Sequence, residues 1–494
     1  MFAFSRIVFY LAGVRMDMSS LSGRPQSSYW QQLDLNQLHH NLIQSIWYLQ
    51  SQPPLFNTAT GLLLKLPPPL VTPTVVVIGL VLGLGIAMSG YYLCLELHLP
   101  RWLAFLVTAL VVFDPASAVY QNWFFYTYPT AFGVTFGALC GARYLRGQRP
   151  VWGVGFFVSL AAVVLLNSSF QWPWLLLASL PVLIVLRRQW RTLLLVALLP
   201  VLCVSLWYAK NAVLFHSYTT SSWTGMNLAQ ITTSQATEKQ LGSLIKAKTL
   251  TPIAAIVPFT APPAAYGRKL SNHRPTGVAV LDRVTKGDGT LNLNNVNFVA
   301  ISNQYLHNDF RFIQADPGLY LRSVGKAITT YMIPSEQYIF VASNEQHLST
   351  YARIYDLLVD GQLSGMDPTA ATTNADHGQG VAPSHISWFI ALEYLLTIAV
   401  APVVAWRRRR DVPYALTLGF ITLTTLYLFV VSNLSQLGEN NRFRFDAGPL
   451  PLIATAVVVM AMVHHFAAKE GRPPDGEPDV EAPPLRDLPA AMVH

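Results

Sequence analysis

The chain has 494 residues, of which 52% are apolar and only 12% charged, and its mean hydropathy is +0.36. Soluble domains carry about 25% charged residues, so a water-soluble globular protein is excluded. The net charge of +8 sits in short basic clusters between apolar runs, where it sets membrane orientation and gives no sign of a nucleic-acid partner.

In chain order, FAFSRIVFYLAGV at 2–14 is too short to span a bilayer and lacks a signal peptide's basic start and cleavage site. It reads as the end of a first transmembrane helix whose beginning is either missing or mis-called. Apolar runs long enough to span follow near 70–93, 102–119, 128–146, 151–167, 173–187, 192–210, 386–405, 413–432 and 449–466, giving about ten transmembrane helices. Cys94, Cys140 and Cys203 all lie in these runs, so no disulfide framework is expected. The basic connections RYLRGQR (143–149), LRRQWR (186–191) and WRRRR (406–410) belong on the cytoplasmic side. Alternation then sends 15–52, 114–127, 167–172, 211–385 and 432–448 to the opposite face.

The expected fold class is an all-α polytopic membrane protein. An N-terminal transmembrane region (1–210) carries a first external loop at 15–52, followed by an extracytoplasmic α-rich domain (211–385), a C-terminal transmembrane region (386–467) and a disordered cytoplasmic tail (468–494). Helices are predicted at 317–332 and 343–363, with a linker at 365–383. In the first loop, Leu38, Leu42, Ile46 and Leu49 share one face of a predicted interfacial helix, with Trp47 and Tyr48 at the water boundary. Pro53 and Pro54 end that helix and turn the chain toward the membrane, which holds Asp34 over a cavity between spans.

This layout resembles the GT-C glycosyltransferases that use polyprenyl-phosphate sugars, in particular the protein O-mannosyltransferase and aminoarabinose transferase branch (families 39 and 83) in bacteria. In that branch an acidic catalytic residue in the first external loop is followed by a His-Pro-Pro-Leu-like turn. Asp34 and Gln52-Pro53-Pro54-Leu55 match that order here, with Gln52 in place of His. WYAKNAVLFHSYTTSSWTGMNL (207–228) and GENNRFRFDAGPLPL (438–452) look like the family's charged membrane-exit segments. The resemblance implies a plasma-membrane enzyme acting on the outer face, with inversion at the transferred sugar.

Chemistry gives the residues roles. The departing phosphate gathers negative charge, which Lys210, Arg442 and Arg444 are suited to stabilise, and Asp34 is the expected base for the acceptor hydroxyl. Gln52, Pro53, Pro54 and Glu439 shape the site, and Asp34 is expected to face one external cavity with both arginines. The partners are a polyprenyl-phosphate sugar, the bilayer, and a glycan, lipid or protein acceptor. The sequence identifies no certain cofactor, a divalent cation is compatible with the chemistry, and His39 and His40 beside Asp34 do not make a ligand set.

Plainer readings stand beside these. Asp34 is also a helix cap, Lys210, Arg442 and Arg444 also suit snorkelling at a membrane boundary, and Glu439 also pairs with Arg442 three residues on. Glu393 lies inside an apolar run and is left out of the site. The sequons at Asn167 and Asn433 lie close to membrane ends and read as incidental. The rivals are a flippase or transporter of lipid-linked glycans and a non-catalytic subunit of envelope assembly.

Overall fold

Prolines and glycines set where the apolar helices start, bend and touch. The computed structural model describes residues 1–363 and 386–469, and each of the apolar runs named above is helical in it. The linker expected at 365–383 and the tail from residue 470 lie outside the described residues. Strand pairing among the described residues is limited to isolated bridges such as Asp17 with Trp123.

Among the described residues, five helices are long and apolar enough to cross a membrane: Pro68–Glu96, Arg187–Phe215, Trp388–Arg407, Val412–Ser435 and Leu450–Ala467. A sixth is formed if Arg101–Phe113 and Pro115–Gln121, bent by 54°, are one span. The bend falls at Asp114-Pro115, where the proline disfavours helix in the residue before it and Asp114 Oδ1 caps the new helix by accepting from Ala116 N at 2.8 Å. The shortfall from ten has a physical origin. Phe2–Leu11, Trp172–Val185 and Pro150–Leu166 are apolar but only 10, 14 and 17 residues long. Thr127–Gly147 is long enough, but most of it is buried against other helices, so it carries threonines and glycines where a lipid-facing helix carries leucine. A Cβ on its Gly133 or Gly141 would lie 2.7 Å from Val163 or 3.0 Å from Phe156, the close helix contact that small residues at four-residue spacing permit.

Between Phe215 and Leu363 the chain forms shorter helices with their own core of Trp223, Met226, Phe298, Ile301 and Tyr305. The predicted helix at 317–332 is present as Pro317–Tyr331, capped by Asp316. The one predicted at 343–363 is broken into Ala342–Glu345, Ser349–Tyr355 and a π turn at Asp356–Asp360. Thr224–Ile231 lies so close to Asn297–Ala315 that a Cβ on Gly225 would sit 1.9 Å from Ser302 O. Backbone cannot yield there, so Gly225→Ala should destabilise this region by ~3 kcal/mol or more, read as a lowered unfolding midpoint in detergent.

Asp309 lies in the same packing, fully buried, with its Oδ1 accepting from Thr232 Oγ1 at 2.6 Å. Burial pushes its carboxyl up to about 8. Between the ordinary carboxylate range, near pH 4, and about 8 the folded chain keeps a proton that the unfolded chain has released, so stability should fall as pH rises through this window. Asp309→Asn should flatten that dependence in thermal melts taken across the same pH range.

Candidate functional site

The expected helix over 35–49 is two six-residue helices, Leu35–His40 and Leu42–Trp47, parted at Asn41. Pro53 and Pro54 do not end them directly. Pro53 precedes and Pro54 opens a new helix, Pro54–Leu63, at the position where a missing N–H leaves no bond unmade. The stretch between is pinned. Asn294 Oδ1 accepts from Gln50 N at 2.9 Å and Ser51 N at 3.1 Å, and Ser222 N donates to Gln50 O at 2.9 Å. Asn57 reaches back, accepting from Leu33 N at 2.8 Å and donating to Gln31 O at 2.9 Å. The polar corner therefore fixes Gln31 and Gln52, and both line a cavity of about 230 Å³.

That cavity's walls include Tyr126, Ser168, Gln171, Asn227, Glu439 and Arg442. Arg442 is 1% exposed and lies on the short helix Asn440–Phe445. Its Nε donates to Glu439 Oε2 at 3.0 Å, its Nη2 donates to the same oxygen, and its Nη1 donates to Thr127 Oγ1 at 3.2 Å. Three of five guanidinium N–H groups are thus taken, and the Tyr126 phenol lies against the same guanidinium. Burial opposes the charge on Arg442, but Glu439 and the phenols of Tyr126 and Tyr338 outweigh it, and the net shift is upward. Glu439 is one-fifth exposed, and its Oε1 makes no hydrogen bond among the described residues.

The other expected site residues are placed differently. Arg444, two positions on, lines a separate cavity with Asp114, Glu336, Asp360 and Glu393. Residues two apart on a helix point nearly opposite ways, so the two arginines do not share a site as expected. Lys210 is buried, donates from Nζ to Leu49 O at 2.6 Å and lies 3.5 Å from the centre of the Trp207 ring. It supports the first-loop backbone and is not among the residues lining the Arg442 cavity. Asp34 is also buried and not among them. Its Oδ1 accepts from Gln37 N at 2.9 Å, as a helix cap does, and its Oδ2 accepts from Gly287 N. Beside it, Lys286 donates from Nζ to Tyr29 O at 2.8 Å, and burial pulls that amine down to about 8 against the opposing charges of Asp288 and Asp34.

Two further spaces share wall residues with the Arg442 cavity. A lobe of about 280 Å³ shares Trp30, Gln31, Gln230, Gln436 and Glu439 with it and adds Tyr29, Trp123, Tyr338 and Phe340. An apolar groove of about 380 Å³ runs along Phe56, Ala59, Leu63, Ile78 and Leu82 and shares Tyr126 with the cavity. Ser168, Gln171, Asn227 and Gln230 were not singled out from sequence. Ser168 stands in the Asn167 sequon that reads as incidental, while Asn167 itself is buried and donates to Asp446 Oδ2 at 2.7 Å. Among the described residues, no group of three or more His, Cys, Asp or Glu side chains is arranged to hold a metal ion. Comparison of the chain with protein-family models, curated proteins and solved structures finds no match.

Proposed function

We propose that this chain is an inverting glycosyltransferase of the bacterial plasma membrane, a ten-pass protein resembling the GT-C enzymes, that moves a sugar from a polyprenyl-phosphate donor to an acceptor hydroxyl at the outer face. The observation that carries the reading is the meeting, at Tyr126, of an apolar groove with a polar cavity holding the buried Arg442–Glu439 pair. A polyprenyl chain suits the groove, and its phosphate suits the Arg442 guanidinium in the polar cavity.

In the transfer, the acceptor oxygen bonds to the anomeric carbon as the bond from that carbon to the phosphate oxygen breaks. The bonding electron pair leaves with the phosphate, where Arg442 meets the growing charge. The hydroxyl proton goes to a carboxylate. Glu439 lines the cavity and has a free oxygen, whereas both oxygens of Asp34 are held by backbone N–H groups, so we assign the base role to Glu439. Lys210 and Asp34 act as positioning residues for the first loop.

The direct test is turnover of radiolabelled polyprenyl-phosphate sugars by the protein reconstituted in lipid. Flipping of a lipid-linked glycan without covalent transfer would favour the transporter reading and overturn this one. Ala59 lies exposed on the groove wall. Ala59→Trp should weaken use of a long-chain donor about tenfold, the equivalent of roughly two buried methylenes at ~0.8 kcal/mol each, and leave a geranyl-phosphate donor unaffected. Equal loss for both donors would remove the groove from the donor site.

A further inference from the structure

Resting on that reading, we infer that the second lobe receives the acceptor and that the acceptor is a neutral glycan, one sugar ring of which stacks against Phe340 or Trp30 and presents a hydroxyl to Glu439. Four observations carry this. Glu439 lines both the Arg442 cavity and the lobe, so it stands between a donor in one and an acceptor in the other. The lobe's walls are aromatic: Phe340 lies nearly parallel to Trp123 at 6.3 Å and 19°, and Trp30 stacks on Phe259 at 5.0 Å and 15°.

Phe340 and Trp30 are nonetheless 47% and 46% exposed, unusual for aromatic groups in a cluster that buries Trp123 and Phe125 beside them. The C–H face of a pyranose carries slight positive charge and meets the negative face of such a ring, as ring edges do. Amide side chains complete the wall, and Gln230 Oε1 is buried without a hydrogen-bond partner, an acceptor matched to a sugar hydroxyl.

Charge narrows the class. Glu439 is the sole charged residue among those lining the lobe, and no lysine or arginine lines it. A phosphorylated acceptor would meet one carboxylate and no cation there, whereas a neutral polyol meets amides, hydroxyls and ring faces. A lobe of about 280 Å³ admits one sugar unit with the rest of the glycan outside.

The test uses the full chain in lipid nanodiscs, titrated separately with polyprenyl phosphate, with mannotriose, galactotriose and an N-acetylglucosamine trimer, and with a serine-rich peptide, following tryptophan fluorescence. At least one oligosaccharide should bind. Phe340→Leu should weaken it roughly tenfold, the scale of one ring contact, with Phe340→Tyr retaining it and polyprenyl phosphate binding unchanged in both variants. Normal polyprenyl phosphate binding with no oligosaccharide binding overturns the inference and leaves the transferase reading standing. Peptide binding that is lost in Phe340→Leu makes the acceptor a protein and also overturns it. Failure of polyprenyl phosphate to bind overturns the transferase reading itself, and this inference with it.

Discussion

Arg442→Ala should abolish sugar transfer and weaken donor binding together, and Arg442→Lys should recover only a small part of either. The guanidinium is buried and holds Glu439 through two N–H groups and Thr127 through a third. Removing it strands a carboxylate in a cavity where it has no other partner among the described residues, and breaking a buried pair of this kind typically costs ~3–5 kcal/mol. Lysine restores the charge but has no planar fork with which to hold Glu439 and a phosphate at once. Arg442→Ala combined with Glu439→Gln removes the stranded charge, so it should recover thermal stability without recovering turnover. Turnover and unfolding midpoints measured on all three variants check this, and near-normal transfer by Arg442→Ala would take the phosphate out of this cavity.

Glu439→Gln should lower turnover by ~10²- to 10⁴-fold, the usual loss when a general base is neutralised, while donor binding stays within a few-fold. The amide keeps the shape of the side chain and can still accept from Arg442, so the loss falls on proton removal. Asp34→Asn should behave differently. An amide can accept from only one of Gln37 N and Gly287 N and turns its own N–H groups toward the other, so a loss of ~1–2 kcal/mol in stability is expected with the chemical step largely kept. Single-turnover rates and melting curves of the two variants separate the roles. Abolished transfer in a stable Asp34→Asn, with Glu439→Gln active, would return the base role to Asp34.

How much of this was legible from sequence follows the range of each interaction. Every apolar run named from hydropathy is helical, with 102–119 broken at Asp114-Pro115, because burial in lipid or protein demands the same intrahelical hydrogen bonds. Span count was not legible to the same degree: hydropathy cannot tell that Thr127–Gly147 is enclosed by its neighbours, or that the apolar helix at Trp172–Val185 is only 14 residues long. The Glu439–Arg442 pair and the capping role of Asp34 were readable because each is local, three residues apart.

Tertiary partners were not. Asp34 meets Gly287 across 253 positions, Lys210 meets Leu49 across 161, and Asn344 binds the backbone of Arg15 where a continuous helix was expected. Arg442 and Arg444 look equivalent in NNRFRF, a segment without apolar periodicity. Their separation into two cavities follows only once that segment is known to be helical.

Tyr126 has one further consequence. A single ring separates a channel wall of hydrocarbon side chains from one of amides, hydroxyls and ions, so the change from oil to water takes place over the thickness of one residue. A molecule lying across that ring gains on both sides only if it is itself amphiphilic with its polar group joined directly to its apolar chain. A spacer between the two would leave uncharged linker among amides or polar atoms among leucines, and each misplaced polar group costs free energy.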